Sequence, residues 1–134
     1  KDGKPTYTYN WLGLNRYTLA SNQPLAPGKA TIRFEFTYDG GGVGKGGNAV
    51  LSVNGSKVAQ GRIENTQCCI FSADEGADVG GDEGTPVTED YKAPFAFTGT
   101  LGKVTIDLLE MKAAVAEEER RICGLSRIQQ GISD

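Results

Sequence analysis

Asn54-Gly55 stands between two apolar runs, Ala49-Val50-Leu51-Ser52-Val53 and Ser56-Lys57-Val58-Ala59, and no other dipeptide in the chain commits the backbone so narrowly. A type I′ hairpin loop needs positive φ at both central residues, and Asn-Gly meets that need at low steric cost. The two runs are therefore predicted to pair as antiparallel strands. Upstream, Thr31 to Tyr38 alternates cleanly, with Ile32, Phe34, Phe36 and Tyr38 on one face and Arg33, Glu35 and Thr37 on the other. That pattern is a half-buried strand of an antiparallel sheet. Tyr7, Tyr9 and Trp11 repeat the period of two and mark a further strand with one apolar face.

Glycine and proline punctuate the rest. Gln23-Pro24-Leu25-Ala26-Pro27-Gly28 is a turn, and Asp39 to Asn48 holds six glycines in ten positions, too many for a regular element. Gly61 is expected to be a bulge leading into Arg62-Ile63-Glu64. Cys68 to Ser72, Phe95 to Thr98 and Lys103 to Leu108 read as short strands, the last two joined by a turn at Gly99 to Gly102. Near residue 109 the period changes. Glu110 to Arg121 is rich in helix formers, with Glu117 four residues before Arg121, and predicts a C-terminal helix. The expected fold is all-β, an antiparallel two-sheet sandwich over residues 1–109, followed by an α-helix and tail over residues 110–134.

The chemistry open to such a chain is limited first by histidine, of which there is none among the 134 residues. Ser-His-Asp and Cys-His nucleophilic sites, HExxH metalloprotease centres and imidazole-ligated zinc are excluded. A net charge of −3, from 14 basic and 17 acidic residues, provides no field for a phosphate backbone, so no nucleic-acid partner is expected. No apolar run approaches the roughly 20 residues of a membrane span. The polar start Lys1-Asp2-Gly3-Lys4 is not that of a signal peptide, and a first residue other than Met reads as a fragment or processed product; the compartment stays open. Three cysteines read most simply as free thiols, with Cys68 and Cys69 unable to bridge each other readily and a remote or intermolecular pair as the alternative.

Gly42-Val43-Gly44-Lys45-Gly46-Gly47 matches G-x-G-x-x-G after a strand, yet it leads into a hairpin instead of a helix, and Lys45 is followed by glycine, not Ser or Thr. A connecting loop is expected there, not a phosphate cradle. Between Ser72 and Tyr91 lie seven carboxylates and no Lys or Arg. The segment is expected to be a solvated acidic loop, with calcium held by Asp74, Asp78 and Asp82 as the alternative, although their spacing of four departs from the EF-hand pattern. A glycosidase-type carboxylate pair needs a separation that sequence proximity does not establish. Tyr7, Tyr9, Trp11 and Tyr17 are the candidate ligand or interface residues, as a sugar-stacking platform or, the better explanation, as a face buried against the sandwich or an adjoining domain.

Taken together, Tyr9-Asn10-Trp11-Leu12-Gly13-Leu14 with Arg16-Tyr17, Gly28 to Phe36, Tyr38 to Gly42, Gly44 to Gly47, Val53-Asn54-Gly55, Phe71-Ser72, Asp78-Val79-Gly80, Thr85-Pro86-Val87, Phe97-Thr98-Gly99 and Lys103 to Asp107 resemble the C-terminal region of large bacterial arylsulfatases of the formylglycine family. Cys68-Cys69 and Arg120 to Cys123 depart from that pattern. Cys123-Gly124-Leu125-Ser126-Arg127 approximates the sulfatase C-x-P-x-R signature but has Leu125 in place of proline. The resemblance implies an all-β accessory module, with a strand pattern like that of jelly-roll, laminin-G and lectin domains. In the family the formylglycine, metal and sulfate ligands belong to a separate catalytic domain. The expectation is thus a non-catalytic chain that requires no cofactor and docks on a catalytic sulfatase domain or on itself. A stand-alone module binding carbohydrate or sulfated glycan is the alternative.

Overall fold

A computed structural model of the chain describes residues 1–68, 76–109, 117 and 120–125. The protein is all-β, built of antiparallel sheets, and divides into two compact units, Lys1–Cys68 and Cys69–Asp134.

In the first unit, β1 (Thr6–Trp11) and β2 (Asn15–Ala20) form a hairpin, and β3 (Ile32–Tyr38), β4 (Gly47–Val53) and β5 (Ser56–Ile63) form a three-stranded sheet in that order. The Asn-Gly turn is as expected. Asn54 has φ +50° and Gly55 +81°, Val53 pairs with Ser56, and the Asn54 Oδ1 accepts a hydrogen bond of 2.8 Å from the Thr31 N–H. The bulge lies elsewhere than expected. Leu51 pairs with Ala59 but Ser52 with Lys57, so Val58 is the extra residue, while Gly61 stays in register opposite Ala49.

The reason is packing. Registers Phe36–Ala49–Gly61 and Phe34–Leu51–Ala59 set one face of the sheet, and the small Ala49 and Gly61 leave a hollow that Leu19 of β2 enters. A Cβ on Gly61 would lie 3.5 Å from the Leu19 side chain, an ordinary contact distance. Leu19, Ala49 and Ile63 form the buried cluster, ringed by Tyr7, Tyr9, Tyr17, Phe34, Phe36 and Ala59. Full burial of Leu51 and Ile63 stabilises by about 1.5–3 kcal/mol each. The face of β3 that sequence alternation assigns to the core is half-buried at Phe34, Phe36 and Tyr38, whereas Ile32 at the strand start is exposed.

The glycine-rich segment after β3 closes around one phenol. The Tyr38 hydroxyl donates to the Gly42 carbonyl at 2.5 Å and accepts from the Lys45 N–H at 3.0 Å, while the Asp39 N–H donates to the Gly46 carbonyl. A Cβ at Gly46 would collide with the carbonyl oxygens of Ile63 and Glu64, and one at Gly47 with Thr37 O and the Phe36 ring. These glycines serve close backbone approach, in accord with the reading of a connecting loop.

In the second unit, β6 (Gly81–Asp82) pairs with β7 (Phe95–Ala96), shorter than the strand expected from Phe95 to Thr98. Residues 103–108 form no strand, contrary to expectation, and lie exposed without a ladder partner among the described residues. Alternation sets which side chains share a face, but a strand also needs a neighbour to take its backbone bonds. Of the expected C-terminal helix, residues 117 and 120–125 are helical and the rest falls outside the described residues. Cys68 is a free thiol and lies outside any strand; residues 69–72 of that expected element are not among those described. Cys123 is disulfide-bonded, which corrects the free-thiol reading at that position. No helix among the described residues is long and apolar enough to cross a membrane.

Candidate functional site

The aromatic candidates of the hairpin meet on one face. Tyr9 pairs with Tyr17 across the strands, with ring centroids 6.4 Å apart, and Tyr7 stacks on Phe34 of β3 at 3.5 Å and 12°. Burial, and then the neighbouring Tyr9, raise the Tyr7 phenol above its ordinary value. The Tyr9 hydroxyl accepts the Gln67 N–H at 2.7 Å, and the Tyr17 hydroxyl accepts from Asn65 Nδ2 at 3.2 Å. These three rings therefore fasten the hairpin and the 65–67 segment to the sheet. Trp11 stands apart at the hairpin end, half-buried, with its Nε1–H buried and unpartnered. Beyond it Leu12 and Leu14 project into solvent, Leu12 with φ +54°, a left-handed backbone seldom adopted by leucine.

Of the acidic candidates, Asp74 lies outside the described residues. Asp78 Oδ2 accepts the Glu83 N–H at 3.2 Å, and Asp82 Oδ1 accepts the Gly84 N–H at 3.2 Å. Both carboxylates thus shape turns. The structure does not assemble them into a cluster of metal-ligating side chains, none of which occurs among the described residues. The other Asp82 oxygen accepts the Tyr91 hydroxyl, and that hydroxyl in turn accepts the Val87 N–H at 3.1 Å. Desolvation, reinforced by the Asp82 bond, raises the Tyr91 phenol above its usual value.

Two features escape sequence reasoning. The first is a shallow pocket of about 320 Å³ bounded by Tyr91, Phe95, Phe97, Leu101, Asp82 and the Gly80-Gly81 backbone. The β6–β7 pairing assembles it, helped by a 2.9 Å bond from Phe97 N–H to the Gly80 carbonyl. The second is the degree of exposure after it: Val104 is 55% exposed, Ile106 80%, Leu108 91% and Leu109 86%. The alternation in the sequence marks these side chains as apolar but carries no sign that they stay exposed. No family model, curated protein or solved structure matches the chain.

Proposed function

We propose that this chain is the non-catalytic C-terminal accessory domain of an arylsulfatase and that it docks on the catalytic domain of that enzyme. The parent would be a sulfuric ester hydrolase; this chain would contribute shape and contact, not bond cleavage. One observation carries the docking part: Val104, Ile106, Leu108 and Leu109 lie within six residues of one another and each is more than half exposed. Soluble chains seldom leave such a run uncovered unless it meets a partner. The parentage rests on the sequence resemblance, from Tyr9-Asn10-Trp11 through Lys103 to Asp107. It is consistent with a histidine-free chain, which lacks the side chain most often used as a general base near neutral pH.

The glycan-binding reading has less support at the hairpin, because Tyr7, Tyr9 and Tyr17 spend their faces or hydroxyls on internal contacts. The test is to express this chain with a sulfatase catalytic domain from the same source, identified by its C-x-P-x-R motif. The reading expects a stable complex that Ile106→Asp weakens, and no sulfate-ester turnover by this chain alone. Turnover by the chain alone, abolished by replacing Cys123, would overturn it.

A further inference from the structure

The pocket of the second unit is a small concave box instead of a flat platform. Tyr91 and Phe95 have ring centroids 5.2 Å apart and planes inclined at 54°, and Phe97 and Leu101 supply further walls. Phe95 and Phe97 are 52% and 54% exposed, so their faces are available to a ligand. Among the described residues Asp82 is the one charged residue in the lining. Its carboxylate is held in place by the Tyr91 hydroxyl on one oxygen and the Gly84 N–H on the other. A carboxylate has about four acceptor positions, so those two bonds leave about two open. The Tyr91 hydroxyl has its proton on Asp82 and an acceptor position filled by Val87, which makes Asp82 the polar handle of the pocket.

We infer that this pocket binds an organic cation, a guanidinium or alkylammonium head on an apolar stem, between the Tyr91, Phe95 and Phe97 rings and the Asp82 carboxylate. Inclined aromatic faces attract a cation through their quadrupoles, and a neighbouring carboxylate adds direct Coulomb attraction. The same arrangement repels sulfate esters, since the lining holds no Lys or Arg and none occurs from Ser72 to Tyr91. A sugar ring prefers a flat stacking face, which the 54° inclination does not present. The inference is independent of the docking reading. Two sources share the ligand chemistry: a free amine, or a basic side chain of a protein.

The experiment is an amide NMR titration of the full chain with choline, N-acetyl-arginine amide, the neutral isostere N-acetyl-citrulline amide and methyl glucoside. Saturable shifts confined to Gly80–Asp82 and Tyr91–Phe97, with a dissociation constant on the order of millimolar, are expected for a cation and not for the neutral compounds. Tighter binding of choline identifies a free amine as the source, and tighter binding of the arginine amide identifies a side chain. Asp82→Asn should weaken cation binding about tenfold, and Phe95→Leu should also weaken it. Should Asp82→Asn unfold the unit, the wild-type salt dependence decides: affinity for the cation falls severalfold between low and about 0.5 M salt, as screening of a half-buried carboxylate in an open pocket requires. Binding of citrulline amide or methyl glucoside as tight as that of the cations, salt-independent binding, or no saturable shift at these amides would overturn the inference.

Discussion

Tyr7 of the hairpin lies flat against Phe34 of the three-stranded sheet, ring centroids 3.5 Å apart and planes 12° from parallel. This stack joins two sheets that share no backbone ladder. Tyr7→Ala should destabilise the first unit by about 2 kcal/mol, less than a fully buried aromatic because the site is half-exposed, and urea unfolding will measure it. The Tyr7 phenol is raised in the folded state, so its contribution is complete below the ordinary tyrosine value near 10 and is lost as pH rises through the folded value. Tyr7→Phe should therefore lose less stability than wild type between about pH 8 and pH 11.

Two glycines of one loop should respond unequally to the same change. Gly46→Ala drives a methyl group into the backbone carbonyls of Ile63 and Glu64 and should cost about 3 kcal/mol. Gly41→Ala meets nothing within 4 Å and carries only the strain of φ +77°, about 1 kcal/mol. Paired thermal melts will separate the two effects.

Arg62 on β5 reaches across β4 to grip both carboxylate oxygens of Asp39 at the end of β3, one of them at 2.9 Å. Hydrogen bonding from Arg62 holds Asp39 below the usual aspartate range. A lowered folded pKa means the contribution is present above the unfolded value and lost as pH falls through the folded one. Arg62→Gln should raise the Asp39 pKa towards the ordinary aspartate range, read by carboxyl-carbon NMR, and reduce the loss of stability on acidification.

Asn54 supplies both a left-handed turn residue and an acceptor for the Thr31 N–H. Asn54→Gly keeps the first and loses the second, at about 1 kcal/mol; Asn54→Ala loses both, at about 2 kcal/mol. The ordering of the two variants in urea checks the division.

Thiol chemistry should distinguish the cysteines described. Maleimide should label Cys68 in the native chain and reach Cys123 only after reduction, as mass spectrometry of the peptides will show.

Where two local signals agree, the fold could be read from the residues. The strands β3 to β5 combine clean alternation with a turn whose φ angles only a few residues accept, and they appear in the expected register apart from the displaced bulge. Strand β2 was harder to see, because Asn15 to Ala20 offers just Tyr17 and Leu19 as core-facing apolar side chains. Its signal was the Leu12-Gly13 turn following a period of two. The pocket was illegible because Asp82, Tyr91 and Leu101 meet only through a ladder of two residues per strand, too short to announce itself. The hairpin tyrosines left a ligand platform open beside burial against the sandwich, because residue type does not reveal that Asn65 and Gln67 occupy the Tyr17 and Tyr9 hydroxyls.

The uncovered side chains of Val104, Ile106 and Leu108 also bear on how the chain must be handled by the cell. A run of exposed apolar side chains without a ladder partner among the described residues invites association with like segments, and at high concentration copies would pair edge to edge. Under the docking proposal, a partner surface made alongside the chain would cover these side chains as it emerges, so timing of synthesis would matter as much as affinity.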